Sequence, residues 1–421
     1  MREIRRRRIL VLTPRDPYVG IGGDRLRIHR MARELAKHHD LTLLTLCRSK
    51  TEQQAPIACD GVFRQIHRIV LPTWKRFFNT LGAIPTAEPL QIAYYRSPEF
   101  QEAVDLLAPH HDMILAHLVR TATYVPGGAA GVRVLEMTDA ISMSMERVTQ
   151  SKADYFDPRQ LLYRIEAKRL AAYERRLAAR FDLVSLTSAI DLDYLTKSPS
   201  SSLSHALVIP NGSDMSSGTP VRMSRRAEAE IVFVGNLGSL QNFDAAWFFA
   251  KKVLPGVRQR FPNAVLRIVG PIGAIARRRL ASIKGVRIEG IVPDLHQALA
   301  SARIGVCPVR TGAGIKNKVL DYFANGLAVV CSPTALGGIA AKHGEHLMLA
   351  ESIQEWVASV TKLLSQPMEA QRLADAGHTL VREQYRWDQC VQPLLARMNK
   401  LMTLSESESL RKAAALAAAA A

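Results

Sequence analysis

Acidic residues are scarce: 38 Asp and Glu stand against 56 Lys and Arg in 421 residues, a net charge of +18. That surplus excludes no fold, but it points to a negatively charged partner: nucleic acid, an anionic membrane face or a phosphorylated small molecule. No zinc-finger spacing and no RNA-binding aromatic signature is present, and the basic residues are scattered through helices. Nucleic acid is therefore not expected as a partner. Cysteine is sparse as well. Cys47, Cys59, Cys307, Cys331 and Cys390 are an odd number with no close pair, which argues against a disulfide framework or a thiolate metal site and fits buried thiols in a reducing cytoplasm. Long apolar runs are missing too. The basic start MREIRRRRILVLTP breaks off at Pro14 without a cleavable signal, and no later stretch is long enough to span a bilayer. The expectation is a cytoplasmic protein, peripheral at most on the inner face of the membrane.

What is present is an ordinary globular composition, 48% hydrophobic and 22% charged, in a chain long enough for two domains. From Ile9 onward, short continuous apolar runs alternate with longer amphipathic stretches. ILVLT, LTLLTL (from Leu41), DMILAH (from Asp112), VRVLEM (from Val132) and DLVSLTS (from Asp182) read as buried parallel strands. RLRIHRMARELAKHH, between the first two, has helical spacing. A serine-rich break follows at residues 196–205, and a polar, glycine- and proline-bearing interval at 208–230. A second series then runs IVFVGN (from Ile231), AVLRIVG (from Ala264), VRIEGIV (from Val286), IGVCPV (from Ile304) and LAVVCS (from Leu327). Strand and helix in turn predict two doubly wound sheets in tandem, α/β in class. We place the first domain at 1–200, a linker at 201–228, the second domain at 229–386, a returning helix at 387–405 and an uninterpretable low-complexity tail at 406–421.

In such sheets ligands sit beyond the carboxyl ends of the strands. RTGAGIKNKVLDYFANGLAVV, residues 310–330, occupies such a place after the strand from Ile304. Gly312 and Gly314 let the backbone approach a ligand, and a helix expected to begin near Ile315 offers amide groups to an anion. Arg310, Lys316 and Lys318 add cations suited to a diphosphate, and Asp321, one turn on, suits the paired hydroxyls of a ribose. A solvated helix start with Asp321 as a dipole partner is the alternative reading of the same residues.

Other candidates lie in the first half. In GIGGDR, Gly22 and Gly23 would let a loop close over a ligand, or would simply make a turn. Asp139, after the strand from Val132, is either a helix N-cap or a ligand contact at the strand end. Asp191 and Asp193 spell the Asp-x-Asp of metal-dependent sugar transferases, but they fall at a helix start where acids are expected, so no metal is predicted there. In VLPTWKRFFNTLGAI, Trp74, Lys75, Arg76, Phe77 and Phe78 interleave aromatic and basic side chains. They suit either an anionic membrane interface or packing onto the domain.

GAGIKNKVLDYFANGLAVVCSPTALGGI resembles the donor-site segment of the GT-B glycosyltransferases of family four, the group 1 type, and within it a bacterial subgroup associated with exopolysaccharide assembly. Supporting matches are PRDPYVGIGGDRLRIHRMARELA, PLQIAYYRSPEF, VIPNGSD, VFVGNLGSLQNFDAAWFF and VRIEGIVPDLHQALASARIGVCPV, in the family's order over most of the chain. The resemblance implies two Rossmann-like domains with a cleft between them. It further implies a nucleoside-diphosphate sugar as donor substrate, no bound cofactor and no required metal, and transfer of a hexose with retention to a hydroxyl of a glycan or lipid-linked acceptor. It puts Lys318 and the backbone of Gly312, Ala313, Gly314 and Ile315 at the donor, with Lys316 and Asn317 beside them and Asp321 where a glutamate usually binds the ribose. His117, at the end of DMILAH, matches a family histidine near the transferring sugar, and Asp24, Arg25 and Arg27 follow a pattern of the subgroup. Besides Asp321, three positions depart from the family: Ala313 replaces a glutamate, and Asn236 and Asn242 stand where an arginine and a lysine are frequent. A non-catalytic sugar-nucleotide or glycan-binding scaffold and a sugar-nucleotide epimerase are the alternatives.

Overall fold

The computed structural model describes residues 6–20, 22–127, 131–150, 159–197, 203–215 and 220–420. The chain divides into two compact units, one of Met1–Met143, Ile165–Ile209 and Val391–Ala421, the other of Ser144–Arg164 and Pro210–Cys390. Residues 144–164, which the sequence reading kept in the first domain, thus group with the second.

The first unit is built on β1 (Arg8–Thr13), β2 (Asp40–Cys47), β3 (Gln65–Val70), β4 (Met113–His117), β5 (Val132–Thr138), β6 (Leu183–Leu186) and β7 (Ala206–Val208). Their order across the sheet is β3-β2-β1-β4-β5-β6-β7. All are paired in parallel; Ile9–Leu12 of β1, for example, face Leu41–Leu44 of β2 on one side and Met113–Ala116 of β4 on the other. A strand covered on both faces has no use for alternation, and Ile9, Leu10, Val11 and Leu12 are all buried. Parallel neighbours need crossovers. Helix Gly23–Ala36 supplies the first, burying Ile28, Met31, Ala32 and Leu35 at helical spacing.

The second unit repeats the plan with β8 (Glu230–Val234), β9 (Val265–Val269), β10 (Val286–Gly290), β11 (Ile304–Cys307), β12 (Ala328–Cys331) and β13 (Met348–Leu349), in the order β10-β9-β8-β11-β12-β13. Its core gathers Phe233, Phe249, Tyr322, Phe323 and Trp356, with Phe249 and Trp356 edge to face at 5.9 Å. In both sheets the strand order reverses once, between β1 and β4 and between β8 and β11. Loops leaving those strands diverge, so each sheet opens a crevice at its carboxyl edge.

Three strands escape the sequence reading: β3, β7 and β13 lie at the sheet edges. Edge strands lack a continuous buried run, and β3 carries Gln65, His67 and Arg68. The chain end differs as well. Helix Trp387–Ala420 starts in the second unit, joins the first at Val391 and continues through the low-complexity tail. Alanine and leucine are strong helix formers, and Arg7 pairs with Glu406 at 2.5 Å on the way.

Candidate functional site

In the second unit the crevice lies beside β8 and β11. Gly312 and Gly314 adopt φ of 121° and 66°, which keeps the chain out of the helical region. Helix Asn317–Ala324 therefore begins two residues later than Ile315, with extended Lys316 as N-cap. Val319, Leu320, Tyr322 and Phe323 bury its inner face. Lys318 and Asp321, three residues apart, are neighbours on the helix surface.

The Lys318 ammonium donates to Asn242 Oδ1 at 2.7 Å and stands 4.2 Å from the centre of the Phe233 ring. Burial first, and then the charge of Lys316, draw its pKa down to about 8. Asn242 is itself held, its amide donating to the Asn236 carbonyl at 3.0 Å. The Asn236 side chain accepts from Gly238 N at 2.9 Å. The two asparagines thus shape the loop after β8 and fix the lysine. Burial pushes the Asp321 carboxyl up to about 7 against the pull of Ser213, which donates to it at 3.4 Å. Asn317 Oδ1 accepts from Asn211 at 2.6 Å. Asn211 and Ser213, read as linker in the sequence, are therefore site residues. The quoted VIPNGSD was the signal that could have found them.

Two expected phosphate cations are otherwise engaged. Arg310 forks onto Asp244 through Nη2 at 2.7 Å and Nε at 3.1 Å, a bidentate pair that commits one edge of the guanidinium to holding the loop. The Lys316 ammonium turns back to the Ala313 carbonyl. A cation that sequence reasoning missed, Arg147, donates to the Gly312 carbonyl at 2.6 Å. Ala313 and Ile315 are buried, so the loop offers backbone rather than side chains. One protonated amine, one carboxylate and a glycine-opened backbone can together hold a phosphate and a pair of hydroxyls.

In the first unit, His117 ends β4 opposite Glu136 of β5. Its Nδ1 meets Glu136 Oε2 at 2.5 Å, while Arg27 donates to Glu136 Oε1 at 2.8 Å. Burial disfavours the Glu136 anion, but Arg27 and His117 outweigh it and hold its pKa at about 2. An ionised Glu136 can only accept, so the ring proton is on Nδ1. That leaves Nε2, in a side chain 2% exposed, as a buried polar atom without a hydrogen-bond partner. Leu118 and Thr138, beside this pair, have φ of 66° and 64°, a conformation that costs non-glycine residues on the order of 1–2 kcal/mol.

Residues 228–366 match the family described as Glycosyl transferases group 1. They form a group 1 glycosyl transferase domain. A curated relative of the chain, an uncharacterized 44.6 kDa protein in the cps region of Klebsiella pneumoniae, is 30% identical over 128 residues, 28% of this chain and 33% of the relative. The chain thus spans about a third of the length of the curated relative it matches. Among solved structures, Anabaena HepE with UDP and glucose aligns with a TM-score of 0.67 at 14% identity, over 94% of this chain and 100% of that one. Sucrose-phosphate synthase from Thermosynechococcus elongatus aligns at 0.72 and 16%, over 95% and 100%. WaaG, a glycosyltransferase involved in lipopolysaccharide biosynthesis, aligns at 0.64 and 16%, over 92% and 98%. Such likeness is one of fold: two parallel-sheet α/β domains of the GT-B type.

Outside the glycosyl transferase domain, several expectations change. Asp139 is not an N-cap: helix Ile141–Gln150 starts beyond it, and its carboxylate accepts from Thr187 at 2.8 Å. The amides at that helix start go to Asp191, from Ala140 at 2.8 Å, and to Glu174, from Ile141 at 2.9 Å. Asp191 is thus a buried capping carboxylate that also meets Ser188, while Asp193 is exposed. Among the described residues no group of three His, Cys, Asp or Glu side chains is disposed to hold a metal ion. Gly23 opens helix Gly23–Ala36 and Gly22 is its N-cap.

Helix Thr73–Ala83 is turned with its apolar stripe outward: Trp74, Phe77 and Phe78 are 60%, 59% and 63% exposed, whereas Arg76 is 1% exposed. Arg76 donates to the carbonyls of Leu71 and Cys47 at 2.8 and 3.2 Å, and its guanidinium lies 5.2 Å from the Tyr95 ring. It is an anchor, not a surface cation: its guanidinium ties the end of β2, through the Cys47 carbonyl, to the Leu71 carbonyl just before the helix. Lys75 pairs with Glu99 at 2.9 Å. Among the described residues no helix is long and apolar enough to cross a membrane.

Proposed function

We propose that the chain transfers a hexose from a nucleoside-diphosphate sugar to a hydroxyl of a glycan or lipid-linked acceptor, with retention, in the assembly of an exopolysaccharide or surface glycan. The observation that carries this reading is that Lys318 and Asp321 stand three residues apart on one helix of the group 1 domain, with Lys318 held by Asn242 at 2.7 Å. Lys318 and the amides of the Gly312–Ile315 loop supply the positive charge that a departing diphosphate needs, so the reading requires no metal. Asp321 accepts from the ribose hydroxyls. HepE, a structural neighbour, has been solved with UDP-glucose, which supports a nucleotide sugar as donor, and the match to a protein of a cps region supports the surface-glycan role.

In this reading the leaving phosphate takes the acceptor proton on the face it departs from, and the free Nε2 of His117 positions the sugar or acceptor. The outward aromatic stripe of helix Thr73–Ala83 would rest on an anionic membrane face, which suits a lipid-linked acceptor. The test is a thermal-shift screen of full-length protein against nucleoside-diphosphate sugars, repeated with Lys318→Ala. One donor should raise the melting temperature of the wild type and fail to do so in the variant. If none does at millimolar concentration, the donor-site reading fails. Turnover of that donor only when an acceptor is added would exclude the binding-only scaffold.

A further inference from the structure

The first unit carries a group of cations that the donor chemistry does not use. Arg15 follows β1 and Arg120 follows β4, the two strands between which the sheet order reverses. Arg15 donates to the Tyr95 hydroxyl at 3.0 Å and to Asp24 Oδ2 at 3.2 Å. Arg120 spends two nitrogens on one neutral acceptor, Gln91 Oε1, at 2.7 and 3.1 Å, and its guanidinium lies 5.4 Å from the Tyr95 ring centre. Arg25 is half-buried, and its Nε is buried without a hydrogen-bond partner. Burial opposes the Asp24 anion, but Arg15, His117, Arg120 and Arg25 together hold it below its ordinary range, so all four sense the same carboxylate.

The charge does not balance. Three guanidiniums share Asp24, and the two further carboxylates that reach them, Glu52 near Arg25 and Glu174 near Arg120, accept from the backbone amides of Arg48 and of Ile141 and Ser142. Holding surplus like charge in a partly buried site is unfavourable unless something anionic completes it. The loop is also pared down for these side chains. A Cβ on Gly20, at φ 77°, would stand 2.6 Å from Arg25 Nη1, and one on Gly22 would stand 2.8 Å from Asp24 Oδ1. The first amides of helix Gly23–Ala36, which have no partner within the helix, open at the same place.

We infer that Arg15, Arg25 and Arg120 form a binding pocket for a phosphate or diphosphate carried by the acceptor, an assignment that rests on the glycosyl-transfer reading above. A carboxylate offers two coplanar oxygens and is satisfied by one guanidinium fork. Three guanidiniums from three chain segments suit the tetrahedral oxygens of a phosphate. The donor's own phosphates have their cation at Lys318, in the other unit.

The experiment titrates pyrophosphate by calorimetry into full-length protein already saturated with UDP, so that the donor site is filled, at constant ionic strength. Wild type binds, and Arg15→Gln, Arg120→Gln and Arg25→Gln each weaken binding by about tenfold or more, while the affinity for UDP changes by less than about twofold. Among the described residues the Arg25 side chain makes no hydrogen bond, so Arg25→Gln reads ligand binding without a folding defect, and its melting curve checks this. Absence of pyrophosphate binding to the UDP-loaded wild type, or unchanged binding in Arg25→Gln, overturns the assignment. A parallel fall in UDP affinity also overturns it, since the cluster then serves the donor. If UDP itself fails to bind, the donor-site reading is judged by the nucleotide-sugar screen above, and pyrophosphate binding in the Lys318→Ala background still decides the cluster.

Discussion

Lys318 and Asn242 meet at 2.7 Å across the crevice between β8 and β11, and the amide accepts where a second cation was expected from the family pattern. The asparagine therefore positions one lysine instead of adding a charge. Asn242→Ala removes that positioning and should weaken nucleotide-sugar binding by about 1 kcal/mol. Asn242→Asp should weaken it further, because a carboxylate at this distance neutralises the ammonium that the diphosphate needs. Calorimetric titration of both variants tests the point; tighter binding by Asn242→Asp would refute it.

Donor affinity should be bell-shaped in pH. Asp321, pushed up to about 7, must ionise to accept from hydroxyls, and Lys318, drawn down to about 8, must stay protonated to hold a diphosphate. Affinity is lost below about 7 as Asp321 takes a proton and above about 8 as Lys318 gives one up. Asp321→Asn should flatten the acid limb and leave the alkaline one. A nucleoside-diphosphate sugar is the suitable probe, since its diphosphate does not titrate in this range. An acid limb that persists unchanged in Asp321→Asn would show that another group controls it.

Stability should fall as pH rises toward neutrality. Glu174 is buried and pushed up to about 7 from 4.5, so between those values the folded state binds more protons than the unfolded one. Stability contributed by the protonated carboxyl is complete below the unfolded pKa and is lost as pH climbs through the folded one, by roughly 3 kcal/mol in all. Glu174→Gln keeps an oxygen for the amides of Ile141 and Ser142 and should flatten this decline in urea denaturation between pH 4.5 and 7. A variant whose stability slopes as the wild type's does would exclude Glu174 as the cause.

Glu136 has the opposite sign. Its pKa is held at about 2, so its contribution is present above 4.5 and disappears as pH falls toward 2. Glu136→Gln takes the carboxylate away from the buried Arg27 guanidinium and should cost about 3–5 kcal/mol. His117→Asn should be far milder in stability, about 1 kcal/mol, yet reduce turnover by on the order of tenfold or more. Equal losses of turnover and stability in His117→Asn would make that histidine structural only.

The aromatic stripe offers a fourth separation. Because Trp74, Phe77 and Phe78 are exposed, changing all three to serine should move stability by no more than about 0.5 kcal/mol per substitution. The same change should abolish co-sedimentation with vesicles containing anionic lipid. Retained vesicle binding would remove the stripe from the membrane reading.

Much of the fold was legible because parallel strands covered on both faces write themselves as largely apolar runs, and β1, β2, β4, β5, β6, β8, β9, β11 and β12 did so; the edge strand β10 was legible although Arg287 and Glu289 interrupt it. Edge strands β3, β7 and β13 did not, since half their faces meet water. In the site, the glycines and Lys318 were legible as local chemistry. The engagement of Arg310 by Asp244, of Lys318 by Asn242 and of Asp321 by Ser213 was not, because each joins residues 66 or more apart in the chain. Arg76 shows the same limit: nothing in TWKRFF distinguishes a buried guanidinium from a solvated one until Leu71 and Cys47 turn their carbonyls toward it.

The last helix sets the timing of assembly. Val391, Leu394, Leu395 and Met398 are buried and belong to the first unit, whose other segments end at Ile209. Residues 210–390 must be synthesised between them, which at about 5–20 residues per second delays completion of the first unit by on the order of ten to forty seconds. Throughout that interval the first unit lacks part of its apolar lining, and the second is complete only at its end. A chain truncated after Cys390 should therefore hold a protease-resistant second unit and a protease-sensitive first, although the first is made earlier.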